Sequence, residues 1–157
     1  MSETNMSKYA DIIDNDNKVE PSYINARKKV VVDRFTFSGD GGVSIGDTFL
    51  MNKIPENALI LGAKIFCGNV GSAGIFSLGL AAHVDRDGNS VAADPNSLVN
   101  QADAGGQVVN KSDDLNSVAI GKEIGKGGAQ PYLYCDEAPD SEDGEEIIAI
   151  VEYALPN

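Results

Sequence analysis

The 157-residue chain has no tryptophan, one histidine (His83), two cysteines and only 6% aromatic residues. Each scarcity removes a class of function. With few aromatic rings there is little to stack sugars or single-stranded bases on. A single histidine must serve any catalytic triad or histidine-bearing zinc site, and His83 falls at the end of an apolar run on its more polar face, where an ordinary surface histidine is the simpler reading. Cys67 and Cys135 both lie on the inward side of alternating runs. They read as buried free thiols that behave as small hydrophobes. A disulfide would require neighbouring strands, and a cytosolic origin disfavours one. No stretch approaches the roughly 20 apolar residues of a membrane span, which argues against a membrane partner. The opening MSETNMSKYADII lacks the basic and apolar regions of a secretory leader, so synthesis in a cytosol is expected.

Bases are also scarce, 12 against 24 acids for a net charge of -12. The imbalance is uneven. Residues 1–29 hold five bases (Lys8, Lys18, Arg27, Lys28, Lys29) and five acids (Glu3, Asp11, Asp14, Asp16, Glu20), which leaves 7 bases and 19 acids to the remainder. An acidic body argues against a nucleic-acid partner, because affinity for phosphates rests on Lys and Arg. It favours solubility and attraction to basic protein surfaces.

Short β-type runs separated by turn residues make up most of the chain. Residues 1–29 are polar and poorly periodic and read as an extended N-terminal arm; residues 30–157 read as one β-domain. A domain of this size buries roughly 68–70% of its unfolded surface and needs no metal or disulfide to hold a core. Strand patterns cover Arg27–Phe37, Asp47–Ile54, Leu59–Cys67, Ile75–Val84, Val118–Ile124, Pro131–Asp136 and Glu146–Ala154. In the third, Leu59, Leu61, Ala63, Ile65 and Cys67 form one apolar face. In the fourth, Phe76, Leu78, Leu80, Ala82 and Val84 point inward. In the second, Thr48, Leu50 and Ile54 alternate against Asp47 and Lys53. This period of two predicts half-buried antiparallel strands. Asp94 as a cap with Pro95 behind it predicts a short helix over 94–102, and 103–117 reads as loop. About seven short strands, and no helix long enough for a crossover, give an all-β antiparallel sandwich.

Motifs with chemistry are weak. Asp85-Arg86-Asp87-Gly88-Asn89 has the alternating oxygens that open a calcium loop, but Ser90 stands where glycine is needed and Asn96 where a bidentate glutamate belongs. Gly121-Lys122-Glu123-Ile124-Gly125-Lys126 lacks the spacer and hydroxyl residue of a phosphate loop. The acidic run Asp136–Glu146 could supply paired carboxylates for glycoside chemistry, yet it reads better as a solvated loop that repels sheet edges. No enzyme is expected, and no cofactor or metal.

One ordered set of features resembles a known family. The polar strand Gly46-Asp47-Thr48-Phe49-Leu50-Met51 leads into the corner Ile54-Pro55-Glu56-Asn57-Ala58 and the run Leu59-Ile60-Leu61-Gly62-Ala63-Lys64-Ile65. Phe76-Ser77-Leu78-Gly79-Leu80 follows, and the chain closes on Ile148-Ala149-Ile150-Val151-Glu152-Tyr153. This order resembles the head decoration (cement) proteins of tailed phages, of the jelly-roll type, over residues 43–154 and most specifically over 46–82. The resemblance implies a non-enzymatic capsid protein on the outer surface of the virion. It implies a homotrimer bound to the major capsid protein across subunit junctions. The apolar arm residues Tyr9, Ile12, Ile13, Tyr23 and Ile24 would then be contacts, and Arg27, Lys28 and Lys29 would pair with acids on a neighbour. The arm is longer than the start associated with that family. The alternative is a receptor- or glycan-binding sandwich of a virion, because jelly rolls also serve as lectins.

Overall fold

The computed structural model describes residues 27–36, 43–68, 74–103, 107–111, 118–138 and 146–156. Among the described residues ten strands run in chain order: β1 (Arg27–Thr36), β2 (Thr48–Leu50), β3 (Leu59–Gly68), β4 (Ile75–Leu80), β5 (His83–Val84), β6 (Ser90–Val91), β7 (Asp94–Asp103), β8 (Gln107–Lys111), β9 (Pro131–Glu137) and β10 (Glu146–Leu155). Eight of them form two four-stranded sheets, β1-β10-β3-β8 and β2-β9-β4-β7, and β5-β6 is a separate hairpin. All pairings are antiparallel. The chain crosses from sheet to sheet so that its first and last strands become neighbours in one of them. This is the eight-stranded jelly roll, two interlocked Greek keys. The expected all-β, jelly-roll-like sandwich is therefore what the chain forms.

The core lies between the sheets. Ile65, Ile147, Ala149 and Val151 from the first sheet meet Phe76, Leu78, Leu133 and Cys135 from the second, all fully buried. Each large side chain removed from water in this way contributes about 1.5–3 kcal/mol. On one flank β1 lies over β2: the rings of Phe35 and Phe49 stand 5.6 Å apart, and Asp33 accepts hydrogen bonds from the Asn52 backbone N–H (2.9 Å) and Nδ2 (3.1 Å). On the other flank β7 packs against β3 and β8.

Several elements differ from the sequence expectation. In β3 the pairing with β10 passes from Glu152↔Gly62 to Tyr153↔Ile60, so Leu61 is a bulge residue. An extra residue flips the inward face. Ala63 and Ile65 are buried on one side of it and Ile60 and Ala58 on the other, while Leu61 is 42% exposed. The side chain of Cys67 lies outside the described residues. In β2 the phase is also opposite: Leu50 is exposed and Met51 buried, fixed by the bond from the Met51 N–H to the Pro131 carbonyl. The run Ile75–Val84 ends as a sheet strand at Leu80, opposite Pro131 where β9 begins. Ala82 is exposed and Val84 only half-buried, and His83-Val84 goes to the hairpin.

The expected helix over 94–102 is strand β7. Its cap is present, since the Asn96 N–H donates to Asp94 Oδ1 at 2.9 Å, but Ser97, Leu98 and Val99 are buried in succession. A free edge on β4 pairs that backbone instead. Residues 107–111, expected as loop, are strand β8. Residues 118–124, expected as a strand, form turns with single bridges from Glu123 to Leu59 and from Ile124 to Asp85.

Two buried serines repair the irregular pairing of β4 with β7. The register slips between Phe76 and Leu78 and again between Leu78 and Leu80. At the first slip the Gln101 N–H, from a residue at φ 49°, donates to Ser77 Oγ at 3.0 Å, and Ser77 Oγ donates to Asp136 Oδ2 at 2.5 Å. At the second, Ser97 Oγ accepts from the Leu80 N–H and donates to the Asp94 carbonyl, each at 3.0 Å. Backbone groups that lose ladder partners thus find hydroxyls, which unsatisfied would cost about 1–3 kcal/mol each.

Burial of Asp136 raises its pKa, opposed by the Ser77 hydroxyl and helped by nearby Glu137. A carboxyl with a raised folded-state pKa binds its proton more tightly in the folded protein. Stability linked to it therefore grows as pH falls from the folded pKa toward the unfolded value near 3.9. Asp136→Asn keeps an acceptor for Ser77 and removes the charge. In urea titrations the variant is expected to be the more stable at pH 7, with the gap closing toward pH 4. A less stable variant at pH 7 would contradict this account.

Candidate interaction surface

Among the described residues, those with catalytic potential do not converge. His83 is half-buried, with Nδ1 2.9 Å from the Ala81 carbonyl oxygen. Cys135 is buried, its thiol donates to the Glu137 carbonyl, and burial together with the carboxylates of Asp47 and Asp136 pushes its pKa up to about 11. A thiol held neutral is a poor nucleophile. The Asp85–Asn89 segment is the turn of the β5-β6 hairpin. Asp85 accepts from the Asn89 backbone N–H at 2.8 Å and Nδ2 at 3.1 Å, and these bonds lower its pKa. Gly88 sits at φ 87° and donates to the Asp85 carbonyl, a three-residue hairpin turn with its left-handed glycine. Both carboxylate oxygens thus close the turn. Among the described residues no group of three or more His, Cys, Asp or Glu side chains is placed to hold a metal ion, and no helix is long and apolar enough to cross a membrane. The Gly121–Lys126 segment is a turn against the end of β3, with the Gly121 N–H on the Ile60 carbonyl. Most of the 136–146 acidic run lies outside the described residues.

What the body does present is surface. Arg27, Lys28 and Lys29, assigned by sequence to the end of the arm, are the first three residues of β1 and pair with Leu155, Ala154 and Tyr153. All three are exposed. Lys28 Nζ lies 3.0 Å from Glu152 Oε1, which Lys64 also approaches at 3.9 Å; Arg27 and Lys29 make no ion pair among the described residues. Further along β1, Val30 and Val32 are 48% and 50% exposed and Arg34 bonds Glu146 at 3.3 Å. β1 is an edge strand. Alternation puts Lys28, Val30, Val32 and Arg34 on its outer face and Arg27 and Lys29 on the side of buried Val31, so the edge carries bases on both sides, on a protein whose net charge is -12. The other expected contacts, Tyr9, Ile12, Ile13, Tyr23 and Ile24, lie outside the described residues.

At the end of the sandwich where β1 begins there is a cleft of about 1250 Å³. One wall is the β5-β6 hairpin, the other the 118–124 turn, and Leu59, Leu80 and Ile124 line it. Val91 and Val118, 36% and 55% exposed, stand at its rim. Asp85, Asp87, Asp94 and Glu123 surround it against two cations, Arg86 and Lys122, and Arg86 is bound to Glu123 at 2.7 Å. Sequence reasoning missed this cleft, because its walls come from segments separated along the chain, one ending at Val91 and the other beginning at Val118. The exposed Val91 and Val118 beside polar turns were the available signal.

No protein-family model matches the chain, and no curated protein matches it. Solved structures do. A chain in the capsid of Ralstonia phage GP4 superposes with a TM-score of 0.59 at 15% identity, over 89% of this chain and 92% of that one. A chain in the capsid asymmetric unit of cyanophage Pam1 gives 0.48 at 16% identity, over 83% and 86%. One from the acid-stable capsid of Helicobacter pylori bacteriophage KHP30 gives 0.46 at 13%, over 83% and 89%. The first of these shows that the chain shares its fold, nearly end to end, with a chain found in a phage capsid.

Proposed function

We propose that this chain is a non-enzymatic structural protein of a phage virion, a decoration protein that binds the outside of the capsid across junctions of the major capsid protein and assembles as a homotrimer. The observation that carries the reading is the end-to-end similarity of fold to a chain of the Ralstonia phage GP4 capsid, covering 92% of that chain. Surface chemistry supports it. The interior is filled by apolar side chains, the catalytic residue types are scattered, and the chemically distinctive region is the exposed basic edge of β1. A protein of this kind works mechanically. It binds the assembled shell and not free subunits, so each bound copy stabilises the shell by mass action. In this reading Tyr9, Ile12, Ile13, Tyr23 and Ile24 reach the capsid, and Arg27, Lys28 and Lys29 pair with carboxylates of a neighbouring subunit.

The test is mass spectrometry of gradient-purified virions, with copy number measured against the major capsid protein, and re-addition of the purified chain to particles that lack it. The chain is expected at a fixed ratio to the capsid subunit and to raise the temperature at which particles release their genome. Recovery only in the free fraction, with no effect on particles, would sink the proposal.

A further inference from the structure

The register of the first sheet places the basic edge and the cleft at one height. Lys28 pairs with Ala154, and Ala154 with Leu59, which lines the cleft. Adjacent strands lie about 4.8 Å apart, so Lys28 and Leu59 are two strand spacings, about 10 Å, apart on a single rung. They face opposite flanks. β1 is the edge on the β2 side; the cleft is built by the start of β7 and by the 118–124 turn, on the other side.

The two surfaces are also complementary. The β1 edge carries Arg27 and Lys29, both without ion pairs among the described residues, on the side of buried Val31, and exposed Val30 and Val32 on the opposite side. The cleft brings four carboxylates against two cations, exposed Val91 and Val118, and an apolar floor. Base meets acid. Neither surface matches itself, so the contact is head-to-tail rather than two-fold.

We infer that the β1 edge of one copy seats in the hairpin cleft of the next, so that identical copies join head-to-tail. The occupant of the cleft is thus a second copy of this chain. A head-to-tail contact of this kind joins each copy to two others. The inference rests on the self-assembly part of the proposed function and names the surfaces that would make it. The competing role for Lys and Arg on an edge strand is to repel other strands. That role predicts a monomer.

Two variants of the full chain that each add one cysteine, Lys29→Cys and Asp87→Cys, decide between them under mild oxidation. Mixed together they are expected to give a covalent dimer, and each alone should give no more cross-link than the wild type. Native mass spectrometry is expected to show a discrete oligomer for the wild type. Arg27→Glu/Lys29→Glu should raise its dissociation constant at least tenfold, and adding Asp87→Lys to that variant should recover much of the loss. A monomer at all concentrations, a cross-link formed by either variant alone, or no cross-link in the mixture would overturn the inference. Particle binding is scored separately. A monomer that still decorates particles overturns this contact and leaves the decoration role standing; an oligomer absent from particles does the reverse.

Discussion

Replacing Gly79 by alanine is expected to cost the protein about 4 kcal/mol or more, enough to leave much of it unfolded. Gly79 lies in β4 where the start of β7 crosses it. A Cβ there would overlap the Asp94 carbonyl oxygen and lie 2.6 Å from the carbonyl carbon and Cα of Pro95. These are backbone atoms, so no side chain can swing aside. Overpacking a filled site ordinarily costs about 1–3 kcal/mol. Here any retreat of Asp94 also disturbs the Ser97 hydroxyl that bridges the Asp94 carbonyl and the Leu80 N–H, and an orphaned buried N–H adds about 1–3 kcal/mol. Against a total stability of roughly 5–15 kcal/mol, the loss shows as poor soluble yield or a collapsed urea midpoint. The control is Gly88→Asn. Gly88 also has an unusual backbone, φ 87°, but nothing lies within 4 Å of its Cβ position, and asparagine tolerates the left-handed region. That variant should lose under about 1 kcal/mol. A Gly79→Ala protein that melts within a degree or two of wild type would refute the close approach.

Phe76→Ala is the second large effect, about 3–5 kcal/mol. Phe76 is fully buried in β4 between the strands carrying Cys135 and Ala102. Its neighbours are held by two sheets at once and cannot collapse into the space, so the transfer loss and the cavity loss add. For a domain of this length each kcal/mol moves the melting temperature about 2–4 °C, which predicts a fall of roughly 6–20 °C by calorimetry. Val32→Ala, on the exposed outer face of β1, should stay within about 0.5 kcal/mol. A Phe76→Ala variant no less stable than Val32→Ala would mean that the two sheets do not share this core. The pair also separates fold from function: Val32 is cheap to lose for stability and lies beside the inferred subunit contact.

The fold class was legible because a period of two survives in the strands that matter most. Phe76, Leu78 and Leu80 alternate in sequence and all are buried. Local pattern failed wherever pairing, rather than the chain itself, decides direction. Leu61 belongs to the apolar face on paper, and one bulge against β10 turns it out. Asp94 and Pro95 look like a helix start, and even the cap hydrogen bond forms, but the open edge of β4 draws the next residues into a sheet. The basic triplet Arg27–Lys29 entered as a contact candidate through the resemblance to decoration proteins, and its exposure in the fold agrees with its charge. Its position on an edge strand was not legible, because that depends on β10 at the far end of the chain. The cleft was hidden for a related reason: nothing in the local sequence says that residues 83–97 and 118–124 face each other.

The pairing of β1 with β10, from Arg27↔Leu155 to Thr36↔Glu146, also has a consequence for biogenesis. β10 is the middle strand that joins β1 to β3. While the chain is being translated, β1 is made early and has no partner until the last strand emerges. Such long-range closure is slow compared with hairpin formation. A truncated product lacking β10 would leave β1 detached from the rest of its sheet. The sheet that carries the basic edge is thus completed only when translation has delivered β10, so prematurely terminated chains would lack that edge in its finished form.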